Sequence, residues 1–380
     1  MDTSTPLFSC VIPTYCRVKL IKELLSSLQT AQLVDNHSLE IILIDDSPRR
    51  EAEEIQALCK QFDAFYLTGT SSVREKRNLG IKNAHGDYIF FIDSDCQAHK
   101  DVFLEHYKIL CNPDFDACIG ITDFVGADSF MWQVISHTKF LDSFRFPSLL
   151  KGKVSSAPWG PTTNFSVKRN LLLELGGFET KLPFNLGADD ADLGLRINQA
   201  GHRIGMSETA IVYHSRETWN GMLKILRRVF RWGRMDYYLF YQRHISRTAF
   251  TFPKPVGVFL AFILIQALIS ISFSLFLLLP LLLWPVLYLW TFSSITKRHW
   301  NMYEIPLRIL MGAECINQVF DVGCLLMSLR HGSLLFLWRE PIDDPRNLWH
   351  TKIHTIWASF IACFLLLIID CIWLVFLLVF

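Results

Sequence analysis

The chain has 380 residues, with 37 Lys and Arg against 36 Asp and Glu and a formal net charge of +1. That length suits two units rather than one, and the near-balanced charge points to neither a nucleic-acid nor an acidic partner. Apolar residues make up 51% of the chain, but they crowd toward its C-terminal end, so the two ends call for different readings.

Met1 to Thr5 has neither a basic region nor an apolar core. It is no signal peptide, which places the soluble part in the cytosol. The cysteines show no C-x-x-C pair and no zinc spacing, as suits buried thiols in a reducing compartment. Phe8 to Ile12 is a short apolar run stopped by Pro13, Glu40 to Ile44 is stopped by Asp45 and Asp46, and Tyr88 to Ile92 by Asp93. Runs of this kind predict strands buried on both faces of a parallel sheet. Between the first two, Val18 to Gln29 places Leu20, Ile21, Leu24, Leu25 and Leu28 at helical spacing, which predicts an amphipathic helix. Glu51 to Phe62 and Arg74 to Ala84 are weaker helical candidates. Alternating strands and helices imply an α/β, Rossmann-like sheet with right-handed crossovers.

Ligands of such sheets sit outside the carboxyl ends of the strands. Pro13-Thr14-Tyr15, Asp45-Asp46 and Asp93-Ser94-Asp95 all lie there. Asp93 and Asp95 offer carboxylates to a hard divalent cation, Mg2+ or Mn2+, which would keep positions open for a diphosphate. Asp45 or Asp46 could accept a hydrogen bond from a base N–H, and Arg74, Lys76 and Arg77 bring positive charge to the same place. A lone aspartate at a strand end more often caps the next helix; three converging clusters weigh the other way.

VIPTYCR (Val11 to Arg17), ILIDDS (Ile42 to Ser47), REKRNLG (Arg74 to Gly80) and GDYIFFIDSD (Gly86 to Asp95) resemble inverting glycosyltransferase family two. NFSVKR (Asn164 to Arg169), LGGF (Leu175 to Phe178), ADDADLGLR (Ala188 to Arg196) and RVFRW (Arg228 to Trp232) continue the match in order. The resemblance implies a GT-A fold, a mixed and mostly parallel Rossmann-like sheet, and a nucleotide-diphosphate sugar donor such as a UDP- or GDP-sugar. By position it assigns Pro13 and Tyr15 to the nucleobase pocket and Asp46 to the base. Arg77 falls near the nucleotide, Asp93 near the ribose and metal, and Asp95 on the metal. Asp190 becomes the catalytic base, with Asp189, where the family has Glu, as the alternative one residue away. Asp192, Arg231, Trp232 and His214 fall in the acceptor or diphosphate region; for His214 a structural role is an equal reading. Arg228 replaces the Gln of the Q-x-x-R-W motif of processive members, so processivity is not implied.

Met222 to Lys254 holds eight Lys or Arg and one acidic residue, Asp236, among aromatics. It reads as a basic juxtamembrane belt against anionic headgroups rather than a nucleic-acid patch. Val256 to Ile295 then runs 40 residues without a charge, enough for two crossings, with a hairpin near Pro280 and Pro285. Lys297 and Arg298 place both ends of it in the cytosol. Ile309 to Leu329, punctuated by Glu314, Asn317, Gln318 and Asp321, fits either an interfacial helix or a span with its polar side inward. Thr355 to Phe380 carries only Asp370 and predicts one crossing. The expected organisation is a GT-A domain over 1–221, a basic segment over 222–254, and a membrane part over 255–380 with three or four transmembrane helices, the acceptor being either lipid-linked or a glycan. A nucleotidyltransferase is the competing enzyme reading, but Phe8 to Lys19 has no glycine for a phosphate loop. A nucleotide-sensing membrane transporter or receptor is the competing non-enzyme reading.

Overall fold

The computed structural model describes residues 6–34, 37–183, 187–242, 248–250, 254–272, 282–341 and 352–379. They fall into two compact units, Met1–Asp128 with Leu141–Asn220, and Ser129–Phe140 with Gly221–Phe380.

The first unit is built on eight strands: β1 (Phe8–Thr14), β2 (Leu39–Asp45), β3 (Phe65–Thr68), β4 (Tyr88–Phe91), β5 (Cys96–Ala98), β6 (Ala117–Val125), β7 (Phe165–Lys168) and β8 (Ile204–Ser215). They form one mixed sheet in the order β3-β2-β1-β4-β7-β6-β8-β5. β3, β2, β1 and β4 are mutually parallel. β7 runs antiparallel to both its neighbours, β6 and β8 are parallel, and β5 is antiparallel to β8.

The three apolar runs are β1, β2 and β4 of the parallel half. β1 continues two residues past its apolar run, with Pro13 opposite Ile44 and Thr14 opposite Asp45. Pro13 is tolerated in this interior strand because β4 pairs with β1 only as far as Val11, so no ladder bond is demanded of its missing N–H on that side.

The α-helices among the described residues are α1 (Val18–Gln29), α2 (Arg49–Gln61), α3 (Val73–Asn83), α4 (Val102–Leu110), α5 (Phe130–Ile135), α6 (Phe146–Leu150), α7 (Arg169–Glu174), α8 (Asp189–Gln199), α9 (Met222–Asp236), α10 (Pro255–Ser272), α11 (Trp284–His299), α12 (Leu307–Arg330) and a C-terminal helix, Lys352–Val379. α1 buries Ile21, Leu24, Leu25 and Leu28 in a core shared with Phe8, Cys10, Phe90 and Phe103. On its other side α3 comes close enough to the sheet that a Cβ on Gly80 would collide with Val11.

In the second unit α9 buries Ile225, Val229 and Gly233 and exposes Lys224, Arg227 and Arg231. It packs on α12 backbone to backbone. A Cβ on Gly233 would run into the carbonyl of Phe320, one on Gly323 into that of Phe230, and the Cys324 thiol donates to Gly233 O at 2.9 Å. Residues 129–140, which the sequence reading grouped with the first 221, cluster with this unit. α10, α11 and the C-terminal helix share a core of Phe262, Trp284, Tyr288, Phe292, Ala358, Ala362 and Leu366.

α12 turns Glu314, Asn317 and Asp321 inward. Glu314 accepts hydrogen bonds from Tyr288 Oη at 2.7 Å, Asn317 Nδ2 at 3.1 Å and Gln318 Nε2 at 2.7 Å. Lys139 lies 3.6 Å from Asp321 and 4.5 Å from the centre of the Phe320 ring. Among the described residues α12 alone is long and apolar enough to cross a membrane, with mean hydropathy 1.4, by length and composition. Pro255–Leu268 and Trp357–Trp373 are shorter apolar stretches, and the bend expected near Pro280 lies outside the described residues.

Candidate active site

The carboxyl ends of β1, β2 and β4 and the start of α8 carry the acidic residues singled out above. The turn leaving β1 is strained: Cys16 (φ 56°) and Arg17 (φ 67°) are consecutive non-glycine residues in the left-handed region, a cost usually met where a turn serves a site. The Cys16 N–H donates to Ser47 Oγ at 2.6 Å, which ties this turn to the end of β2. Ser47 is fixed in turn by Asp45, whose Oδ1 accepts from the Ser47 N–H at 3.1 Å and hydroxyl at 2.5 Å, while its Oδ2 accepts from Tyr66 Oη at 3.1 Å. Asp45 is fully buried and spent on architecture; of the two adjacent aspartates Asp46 is the one left for a ligand. Asp46 is paired with Lys76 Nζ, which also donates to the Thr14 carbonyl.

Pro13 is buried in β1, and Tyr15 is 56% exposed beside it. Thr14, between them, belongs to the same strand-end cluster but has no role assigned by the resemblance. Its hydroxyl is buried without a hydrogen-bond partner among the described residues, which makes it a further polar group at this strand end.

Arg77 reaches from α3 across the site. Its Nη2 lies 3.2 Å from Asp93 Oδ1 and its Nη1 2.5 Å from Asp189 Oδ2. α8 begins after Ala188 in the left-handed region (φ 58°) and puts Asp189, Asp190 and Asp192 in its first turn. Asp190 Oδ1 accepts the N–H of Ala191 at 2.9 Å. Asp192 is fully buried and holds Arg196 at 2.8 Å, and that guanidinium donates to the carbonyls of Leu175 at 3.1 Å and Gly177 at 2.8 Å. The contacts of Asp192 described here are architectural.

Asp95 is nearly buried between Arg17, 2.9 Å away, and His214 Nε2 at 3.6 Å from its other oxygen. Strand register explains the meeting: β5 and β8 pair Cys96 with His214. The ligand atoms of Asp95, Cys96 and His214 all lie within 4.8 Å of one another. Burial first, then the charges of Asp95 and Asp93, pushes the Cys96 thiol well above its ordinary pKa, and a soft sulfur ligand is the least suited of the three to a hard cation. The Asp95 carboxylate is the donor that suits Mg2+ or Mn2+, with the His214 imidazole nitrogen beside it. Among the described residues Asp93 lies outside this cluster. Arg231 and Trp232 belong to α9 of the second unit, Trp232 with its ring 5.7 Å from that of Phe140.

Residues 9–176 match the model of glycosyl transferase family 2. Among similar proteins, an uncharacterised glycosyltransferase of Rickettsia conorii is 36% identical over 96 residues, 24% of this chain and 15% of that protein. Glycosyltransferase AglE of Haloferax volcanii is 22% identical over 231 residues, 59% of this chain and 72% of that protein. Among solved structures, the mannosyltransferase PcManGT of Pyrobaculum calidifontis, in complex with GDP-Man and Mn2+, is 18% identical with a TM-score of 0.48, covering 96% of this chain and 88% of that one. The chain therefore spans only a small part of the first relative and most of the others. The match covers less than half of the chain: residues 9–176, which include most of the mixed sheet, carry a domain similar to glycosyl transferase family 2.

Proposed function

We propose that the chain is a membrane-bound, inverting, metal-assisted glycosyltransferase of hexosyl type. Its donor is a nucleotide-diphosphate sugar, UDP- or GDP-linked, and its acceptor a lipid-linked molecule or glycan of envelope polysaccharide or glycolipid synthesis. The observation that carries the reading is the convergence of Asp46, Asp93, Asp95, Asp189 and Asp190 in one unit, with Arg77 touching both Asp93 and Asp189.

Asp46 takes the nucleobase, with Pro13, Thr14 and Tyr15 lining its pocket, and Asp93, aimed by Arg77, takes the ribose. Asp95 and His214, with Asp93 as a further carboxylate, would hold Mg2+ or Mn2+, which would supply positive charge against the leaving diphosphate. Asp190 removes the proton of an acceptor hydroxyl, whose oxygen attacks the anomeric carbon opposite the diphosphate and inverts it. Arg231 and Trp232 remain candidates for the acceptor end.

Membrane attachment is supported by Leu264, Leu268, Trp290, Phe360, Phe364 and Ile372, large apolar side chains exposed on α10, α11 and the C-terminal helix, where a water-soluble protein would bury them. The basic face of α9 suits an anionic leaflet, with the catalytic domain on the cytosolic side.

The test is to incubate the full-length protein in vesicles with a panel of radiolabelled nucleotide sugars, with and without Mn2+, and to extract the lipid phase. Asp95→Asn should lose about 100-fold or more of the metal-dependent transfer while its melting temperature stays near that of the wild type. Full activity in that variant with Mn2+ still required would remove Asp95 as a ligand.

A further inference from the structure

Arg77 joins two halves of the site that the sequence keeps far apart. Asp93 follows β4 on the donor side and Asp189 opens α8 on the acceptor side, and one guanidinium meets both at 3.2 and 2.5 Å. An arginine has four rotatable bonds and gives up much freedom to be held this way. The restraint is visible. The Arg77 Cζ lies 5.3 Å from the centre of the Phe178 ring, within cation–π range. That ring is fully buried and meets Phe91 edge-on at 5.2 Å.

Phe178 is itself clamped by the residue next to Arg77. Asn78 Nδ2 donates to the Phe178 carbonyl at 2.8 Å, and the Phe178 N–H donates to Asn78 Oδ1 at 2.7 Å. The chain reaches this clamp through Gly177 (φ 70°), where a Cβ would strike Asn78 Oδ1. From the other side Arg196 of α8 holds the carbonyls of Leu175 and Gly177. The LGGF loop is thus pinned to α3 and α8 at once, and its aromatic ring is the face on which Arg77 rests.

We propose that Phe178 and Asn78 are positioning residues that hold the Arg77 guanidinium as a bridge, so that the donor-side carboxylate of Asp93 and the acceptor-side carboxylate of Asp189 are set by one group. The proposal deepens the glycosyltransferase reading and rests on it for its kinetic meaning. The planar fork serves two carboxylates in different directions, which the point charge of a lysine does not reproduce.

The test is a double-mutant cycle in the full-length protein with Phe178→Leu, which keeps an apolar filling without a ring face, and Arg77→Lys, which keeps the charge without the fork. Phe178→Leu alone should lower kcat about tenfold, and in the Arg77→Lys background it should change kcat less than about twofold. Multiplicative losses, or an unchanged kcat in Phe178→Leu, would overturn the proposal. Asn78→Ala, which removes the side-chain clamp on the Phe178 backbone, should show the same coupling and serves if Phe178→Leu does not accumulate. The same cycle read by melting temperature needs no substrate: additive shifts would deny the Arg77–Phe178 contact even if the wild type proved inactive on every donor. Inactivity of the wild type would count against the glycosyltransferase reading alone.

Discussion

In the first unit apolar side chains fill both faces of the parallel strands, and the aspartates are left at the strand ends; in the second, the arrangement is turned over. There Glu314, Asn317, Asp321 and Lys139 lie inside, while leucines, phenylalanines and tryptophans of α10, α11 and the C-terminal helix face outward. A protein in water gains by hiding apolar area and leaving charge at the rim. A helix group with the opposite arrangement gains only where its surroundings are apolar, because polar groups there must find partners within the protein. The contrast between the two regions is what the proposed membrane attachment of the second unit rests on.

Each region also carries one buried polar knot. In the sheet it is His106 on α4, bonded to Ser166 at 2.6 Å and Asn164 at 2.8 Å. Asn164 in turn donates to the carbonyls of Ile121 and Ala210, beside the register shift between Ile119 and Ile121 where β6 pairs with β8. In the helical unit the knot is Glu314 with its three donors.

Three measurements would break or sharpen the comparison. The largest effect is expected at the sheet rim, where Asp190→Asn should lower kcat by about 1000-fold with little change in donor affinity or melting temperature. If Asp189→Asn shows that pattern instead, the base is one residue earlier.

Next comes the knot in the sheet. Burial lowers the His106 pKa to about 4 from an ordinary 6.5. With the folded value depressed, the unfolded chain takes up the proton first. Stability is therefore full above about pH 6.5 and is lost as pH falls toward 4, by about 3 kcal/mol. His106→Gln, which cannot titrate, should flatten this acid limb in denaturant melts taken across that range; an unchanged limb would mean that His106 is not the group responsible.

The smallest is in the helical unit. Glu314→Leu removes the acceptor of three donors and should cost about 2 kcal/mol in detergent melts, whereas Glu314→Gln, which keeps an oxygen, should cost less. If Glu314→Leu proves stabilising, the knot is a feature retained for reasons other than stability.

Chain order and local pattern sufficed for part of this. β1, β2 and β4 were legible because a strand buried on both faces must be continuously apolar, and α1 because its five apolar residues share one face. Asp45-Asp46, Asp93 and Asp95 stood out as candidates because strand ends are where side chains of a parallel sheet are free to meet a ligand; Asp46 over Asp45, and the Asp189-Asp190 pair, were singled out only by the family resemblance. β3 is a four-residue edge strand with Phe65 65% exposed, and β6 and β8 are broken by glycine and polar residues, so these strands gave no comparable signal.

Only tertiary structure decided the rest. It separated Asp45, consumed by Ser47 and Tyr66, from Asp46, and set Asp192 to hold Arg196. It brought His214 to Asp95 through strand pairing over more than a hundred residues, and laid Arg77 on Phe178 between two carboxylates. Adjacent identical side chains carry the same local propensities, and contacts between distant residues leave no periodicity in the chain. Sequence therefore fixes which groups reach the rim, and packing fixes which of them meet.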